Sequence, residues 1–358
     1  MPDVESADTA MPRAMILRPA LRRRAWGGVH LEACRPDAVR EAGDGAFGES
    51  WELAGLDGRP ASFGSDSAIT AGWHAGGTVI EAIRRDPDAI LGRSLADPRH
   101  RMPLLLKLLD AATPLSVQTH PRPAYAATNP DADVKHEGWF VLEATPGAVV
   151  YRGFRRRLAR HEIDEAIAAG RLQDELVAQP VSKGDFVWLP SGTCHALGAG
   201  LLVAEVQTPS DTTYRVHDWG RSDANRPLHL AEAREAVEGT AASELPPIVR
   251  TDRIPPSIAV DGMRTWDLHR GERFSIERMD ADAGTTLPLV TDGTAVAIML
   301  LEGEISIETT SSPAPTLHAA AISTVLFPAK GLPERIRVMR DAKWLRIRLA
   351  DRFERALA

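Results

Sequence analysis

The chain has 358 residues, a net charge of −7 and two cysteines, Cys34 and Cys194. That length suits about two domains, each able to bury a core. The acidic balance argues against a polyanion-binding protein, the cysteine count excludes a disulfide scaffold or an all-cysteine metal cluster, and no apolar run approaches the roughly 20 residues of a membrane span. Residues 1–14 are polar and acidic, with no apolar stretch behind a basic start. They read as a disordered tail rather than a secretory signal, so the expected compartment is the cytoplasm.

Helical signals are few. The first is residues 81–85, stopped by Pro87. The second is residues 161–178, where Ile163, Ile167, Leu172 and Leu176 recur four or five apart with Gly170 as a break. The third is residues 228–238, after Pro227. Elsewhere, short apolar or alternating runs bounded by Gly, Pro, Asp and Asn predict strands. These are 115–120, 139–142, 186–189, 201–206, 295–301, 305–308, 324–327 and 344–349. Strands of this length about ten residues apart suggest sandwiches or barrels. Residues 184–190 and 323–329 each read as a strand ending in Pro before a turn, a weak echo that two tandem barrels would explain. The proline-rich stretch 244–256 reads as a linker.

The stretch Leu115-Ser-Val-Gln-Thr-His-Pro121 is the most informative. On a strand, Ser116, Gln118 and His120 share one face and Val117 takes the other, with side chains two apart separated by about 6.6 Å. Lys135 and Glu137 share a face at the start of a second strand, and His136 points away. His195 leads out of the turn Pro190-Ser-Gly-Thr-Cys194. Gln118, His120, Glu137 and His195 form a nitrogen and oxygen set suited to a divalent transition metal, zinc first. Cys194, next to His195, should face the opposite way as an inert buried thiol. Trp26, Trp51 and Trp139 read as core, Lys107 in its apolar run as a possible snorkelling lysine, and Arg155-Arg-Arg157 as a solvated loop.

These residues resemble the type I phosphomannose isomerases, zinc enzymes of the cupin fold. The likeness rests on LLLKLLDA, LSVQTHP, the K-x-E-x-W of Lys135–Trp139, PSGTCHALGAG and EVQTPSDTTYRVHDWGR, preceded by Trp26-Gly-Gly28 and Gly48-Glu-Ser-Trp-Glu52. They occur in the family's order between Trp26 and Arg221. The last third of the chain carries no such signature. Pro121-Arg122-Pro123 departs from the acidic residues common after the first His-Pro in the family, which bears on the local loop and on substrate preference.

The resemblance implies a mainly β chain of two tandem cupin-like (jelly-roll) barrels with a few packed helices. The expected division is a metal-binding domain over 15–245, with a helical insert at 161–178, and a metal-free domain over 246–358. It implies one Zn2+ on Gln118, His120, Glu137 and His195. Substrate-binding roles fall to Lys107, Ser116, Lys135 and Arg215, and catalytic roles to Lys135 and Arg215. The implied activity is a mannose-6-phosphate isomerase reaction, exchanging mannose 6-phosphate and fructose 6-phosphate through an enediol, with a small sugar phosphate as partner and neither nucleic acid nor membrane. Lys135, Glu52, Asp211, His217 and a metal-bound water are candidates for moving the C1/C2 proton. A cation beside Lys135 would push its pKa down and favour a base role. Two other readings compete: a non-catalytic sugar-phosphate-binding cupin, and a cupin metal oxygenase, against which Gln118 as a fourth ligand argues.

Overall fold

Short apolar runs pair as antiparallel strands throughout the computed structural model, which describes residues 11–35, 46–56, 65–94, 101–129, 132–221, 227–311 and 313–351. The described residues fall into two units, each assembled from separate stretches of chain. One lies within Ala20–Trp51 and Leu104–Ile254; the other lies within Met1–Pro19, Glu52–Pro103 and Pro255–Ala358.

The first unit has two sheets. A seven-stranded sheet runs, in spatial order, Val249–Arg250, Asp185–Leu189, Glu137–Ala144, Leu201–Gln207, Leu105–Ala111, Ala20–Gly28 and Phe47–Leu53. A five-stranded sheet runs Tyr214–His217, Val117–Thr119, His195–Leu197, Val149–Phe154 and Leu176–Pro180. Leu109, Trp139, Val141, Val187 and Val203 of the larger sheet share one buried cluster with Val150 and Leu197 of the smaller. The core therefore lies between the sheets, as period-two alternation requires. The other face of the smaller sheet, with Val117, Phe154 and Ala196, packs against Ile163, Ile167, Ala233 and Ala236. Those four residues belong to the helices Arg160–Ala168 and Leu230–Ala236.

Two sequence expectations change here. The run at 161–178 is helical only as far as Ala168. Gly170 takes φ +64°, a 3-10 turn spans Leu172–Glu175, and Leu176–Pro180 joins the smaller sheet as an edge strand. Leu172 and Leu176 keep their core positions without continuing the helix, so the apolar spacing alone misread the second half. The stretch read as a linker contributes the strand Val249–Arg250, paired with Asp185 and Phe186. Arg250 adds an ion pair to Asp185 at 2.7 Å, and the Thr251 hydroxyl donates to Gly184 O at 2.6 Å.

The second unit contains a ten-stranded antiparallel sheet. Val296, Ile298 and Leu300 share a buried cluster with Ile305 and Ile307 of the same strand, Val296–Thr309, and with Ile336, Val338 and Trp344 of Glu334–Leu349. A sheet that gathers both halves of one strand into one core must curl around it. Two expected strands, 295–301 and 305–308, are thus one. Its register shifts at Glu302 and Glu304, flanking Gly303 at φ +90°, which marks a bulge rather than a turn. The short helix Val79–Arg85 is capped by Thr78 and Glu81, each accepting from the other's backbone N–H, and Pro87 opens a second helix, Pro87–Leu91. Among the described residues, no helix is long and apolar enough to cross a membrane.

Glu334 gives this unit a pH dependence. Both its carboxylate oxygens accept from Ala14 N–H, at 3.1 and 3.0 Å, yet burial pushes the carboxyl up to about 7. The folded chain then holds a proton that the unfolded chain has released, so this group's contribution to stability falls as pH rises from about 4.5 to about 7. Glu334→Gln keeps an acceptor for Ala14 and removes the titration. Its melting temperature should exceed that of the parent at pH 8 by a few degrees, with the difference gone at pH 4.5; equal melting at both pH values would refute the assignment.

Candidate functional site

Glu137 opens the strand Glu137–Ala144 in the larger sheet, while Gln118 and His195 sit directly opposite one another on adjacent strands of the smaller. Val117, Cys194 and Ala196 pack on the helix side, so alternation turns Gln118 and His195 into the space between the sheets. His120 follows the end of its strand. Glu137, His195 and His120 are 0%, 0% and 2% exposed.

His195 Nε2 lies 2.9 Å from Glu137 Oε1, and His120 Nε2 lies 3.3 Å from Glu137 Oε2. The other ring nitrogens meet backbone carbonyls. His195 Nδ1 is 2.9 Å from Thr193 O, and His120 Nδ1 is 3.1 Å from Thr212 O. A carbonyl only accepts, so each Nδ1 carries the proton, and each Nε2 of a neutral ring points a lone pair at the carboxylate. Burial first, and the Lys135 charge second, push His120 down to about 3, which keeps its ring neutral. His120 Nε2 and Glu137 Oε1 have no hydrogen-bond donor. Three lone-pair donors within 4.8 Å of one another repel unless a cation lies among them. Nitrogen and oxygen donors in this number fit zinc. The Gln118 amide is 3.4 Å from His195 Nε2, and rotation of the amide presents its oxygen to the same point.

A cavity of about 440 Å³ opens here, lined by Gln118 and by all four expected substrate residues, Lys107, Ser116, Lys135 and Arg215. Lys107 does not snorkel. It is buried, 3.5 Å from Glu205 and 3.7 Å from Asp211, with its ammonium 4.8 Å from the centre of the Trp51 ring. Lys107 and Glu205 are cross-strand partners, and so are Glu205 and Trp139. The Trp139 indole donates to Glu205 at 3.0 Å, and its ring meets the His195 ring edge-on at 5.5 Å. Burial holds the Glu205 carboxyl above its ordinary range, partly offset by Lys107.

Lys135 Nζ pairs with Glu137 Oε2 at 2.8 Å. Burial opposes its charge, but Glu137 and then Glu205 outweigh it and hold the ammonium above an ordinary lysine. Lys135 in turn holds Glu137 well below the usual carboxylate range against burial. The carboxylates of the chain therefore pull Lys135 opposite to the direction expected from a neighbouring cation alone, and they favour its protonated form.

Of the other proton-transfer candidates, Asp211 lines the cavity and Glu52 and His217 do not. Glu52 accepts from the Thr324 hydroxyl at 3.4 Å, and His217 packs edge-on to Trp219. His136 accepts from Ser191 N–H at 3.1 Å and stacks on Trp188. Cys194 is buried, which pushes its thiol up to about 12. Trp51 and Trp139 are buried, while Trp26 joins both the core cluster and the cavity wall. Arg156 and Arg157 pair at the surface with Glu162 and Glu244.

The chain is 28% identical over 301 residues to the mannose-6-phosphate isomerase of Streptococcus mutans, spanning 83% of this chain and 88% of that one. It is 33% identical over 228 residues to mannose-6-phosphate isomerase ManA of Bacillus subtilis, spanning 63% and 68%. The chain belongs to the mannose-6-phosphate isomerase family. The crystal structure of the mannose 6-phosphate isomerase from Bacillus subtilis superposes with a TM-score of 0.76 at 26% identity, covering 94% of this chain and 99% of that one. A zinc-bound mannose 6-phosphate isomerase, 17% identical with a TM-score of 0.67, covers 94% of this chain and 99% of that one and shares the fold. No family model matches the chain.

This member of the mannose-6-phosphate isomerase family also places Arg23, Arg24, Glu49 and Glu205 on the cavity wall, residues to which sequence reading assigns no role. Glu49 stands in Gly48-Glu-Ser-Trp-Glu52 and Glu205 opens EVQTPSDTTYRVHDWGR, two stretches that resemble the family. The polar run after Gln207 is a pinned loop. Thr208 and Ser210 hydroxyls donate to Val134 O and Asp133 O, which sets Thr212 O against His120 and Asp211 against Lys107.

Proposed function

We propose that this chain is a zinc-dependent aldose–ketose isomerase that interconverts mannose 6-phosphate and fructose 6-phosphate, with the metal on Gln118, His120, Glu137 and His195. The observation that carries the reading is the pair of imidazole lone pairs converging on the Glu137 carboxylate, at a cavity whose wall bears five cationic side chains. The relatives named above supply the reaction. Elemental analysis of the purified chain, with a coupled assay on mannose 6-phosphate before and after chelation, tests it. One zinc per chain, and turnover that is lost with the metal and restored by zinc, is the expected result. A fully active chain free of metal would sink it.

The reaction moves a proton between C1 and C2 of the open-chain sugar, and negative charge develops on the C1 and C2 oxygens. Zinc, when bound, supplies Lewis-acid stabilisation of that oxygen charge. Lys135, whose charged form the neighbouring carboxylates favour, adds a second positive charge at the buried end of the cavity and can donate a proton to a sugar oxygen. Glu205 and Asp211 are the carboxylates on the wall able to accept one. Ser116, buried on the Gln118 face of its stretch, offers a hydroxyl to the sugar. The Arg215 guanidinium is fixed by donation to Pro227 O at 2.7 Å, and its backbone N–H donates to His229 Nδ1 at 3.2 Å, so it meets the substrate from a set position. Arg215→Ala should lower turnover about 100-fold with zinc still stoichiometric. Unchanged turnover would remove Arg215 from the reaction.

A further inference from the structure

We propose that His229 is a positioning residue for Arg215: its imidazole closes the open edge of the strand Tyr214–His217 and fixes the backbone from which Arg215 enters the cavity. The inference rests on the reading of Arg215 given above and names the group that aims it.

Arg215 stands one strand away from the candidate metal site. It lies opposite Gln118, and Gln118 lies opposite His195, so the three residues form a row across neighbouring strands. Residues directly opposed in an antiparallel sheet share a face, and Gln118 and Arg215 both line the cavity. Val216, the next residue, joins the buried cluster on the helix side. The ladder that holds Arg215 is weak at this point. Tyr214–His217 is an edge strand of its sheet, and its register slips between Arg215 and His217, which pairs with Val117. An edge residue beside a bulge has a strand on one side only and an interrupted ladder after it.

His229 supplies a partner on the open side. Its backbone N–H donates to Arg215 O at 2.8 Å, and its Nδ1 accepts from Arg215 N–H at 3.2 Å. The imidazole nitrogen thus stands where a neighbouring strand would place a carbonyl. Both backbone groups of Arg215 turn to His229 and away from Gln118. Arg215 and Gln118 are then a pair of the non-hydrogen-bonded kind, whose side chains approach more closely. Arg215 Nη1 also donates to Pro227 O at 2.7 Å. Residues 227–229 therefore hold this arginine at its backbone and at its guanidinium.

Those residues are themselves anchored. His229 O accepts from Ala233 N–H at 2.8 Å at the start of the helix Leu230–Ala236, and Ala233 and Ala236 share a buried cluster with Val117 and Ala196. An Nδ1 that accepts carries a lone pair, so the neutral ring bears its proton on Nε2. Burial first, and the Arg215 charge second, hold the imidazole below the ordinary histidine range, with Glu232 on its own helix opposing them. The neutral form is the one that can accept. Asparagine can place an oxygen where Nδ1 stands, whereas glutamine carries its oxygen one bond further out, toward the position of Nε2. Alanine removes the acceptor altogether. His229 is half-buried, so none of these changes opens the core.

The test uses zinc-loaded chains: the parent, His229→Ala, His229→Asn, His229→Gln, Arg215→Ala and the double variant Arg215→Ala/His229→Ala. Mannose 6-phosphate kinetics are measured beside hydrogen exchange at the Arg215 amide, with zinc content and melting temperature checked throughout. His229→Ala should keep its zinc and lower kcat about 10-fold, with the loss in kcat rather than KM. Exchange at the Arg215 amide should quicken by about 10-fold or more. His229→Asn should recover most of both losses, and His229→Gln should not. A side chain that only supported the fold would show no such split between variants of equal melting temperature. His229→Gln also carries the comparison with asparagine where the alanine variant does not fold. The double variant should lose no more turnover than Arg215→Ala alone, because both changes act through one guanidinium. Parental kcat in folded, zinc-replete His229→Ala or Arg215→Ala, or losses that multiply in the double variant, would overturn the proposal. Failure of the isomerase reading looks different: the zinc-loaded parent would not turn over mannose 6-phosphate. Exchange at the Arg215 amide would then decide the positioning, faster exchange in His229→Ala supporting it and unchanged exchange overturning it.

Discussion

Replacing Glu137 by glutamine is expected to give a folded chain that neither retains zinc nor isomerises mannose 6-phosphate. Glutamine keeps the volume of a fully buried side chain, so the packing between the sheets is preserved. It removes the one negative charge that faces both imidazole lone pairs, and it leaves the Lys135 ammonium, now 2.8 Å from a neutral amide, as the nearest charge. A dication would then meet only neutral ligands, with the Lys135 ammonium beside them. Loss of the outer partner of a metal ligand alone weakens binding about 10- to 100-fold, so loss of an anionic ligand beside a lysine should exceed about 100-fold. Zinc analysis after dialysis and the coupled assay read the two effects together. A Glu137→Gln chain that keeps one zinc and normal turnover would remove Glu137 from the ligand set.

The second large effect is expected at Lys135. Lys135→Met should lower kcat by about 100- to 10,000-fold, the range of a proton-transferring or charge-stabilising group, while zinc stays stoichiometric. The separation follows from the geometry. Lys135 touches Glu137 and lines the cavity but offers no lone pair while protonated, the form that Glu137 and Glu205 favour. Removing an ammonium beside Glu137 also removes a repulsion on the dication, so zinc binding should hold or tighten. Loss of zinc in Lys135→Met would show that the lysine orders the ligand set, and near-normal kcat with zinc bound would take it out of the chemistry.

The inward direction of Gln118 and His195 was legible because a local rule governs it. Alternation alone puts Gln118 opposite in sense to Val117, and in the fold Val117 meets the helices while Gln118 meets His195. The same rule turned Cys194 away from the site. The carboxylates on the cavity wall were not legible in this way. Glu205 acts there because its strand pairs with Lys107 on one side and Trp139 on the other. No window of sequence contains those three residues. Glu52 was the carboxylate considered from its motif, yet Glu49 lines the cavity; the two stand three residues apart on one strand and so face opposite ways.

Apolar runs, turn residues and period-two spacing by themselves determined a β-rich chain and the common face of Ser116 and Gln118. Strand tendency and side-chain alternation depend on bonds and directions within a few residues, whereas the meeting of Gln118, His120, Glu137 and His195 joins segments as far as 77 positions apart. Only the tertiary structure decided that Met15–Leu17 pairs with Ser323–Phe327, that Val296–Thr309 is one bulged strand, that Glu137 and Glu205 both face the Lys135 ammonium and that Arg23 and Arg24 share a cavity wall. Those outcomes depend on strand register and on the burial of charges brought together from distant segments, and the energy of such pairings is absent from any local stretch of chain.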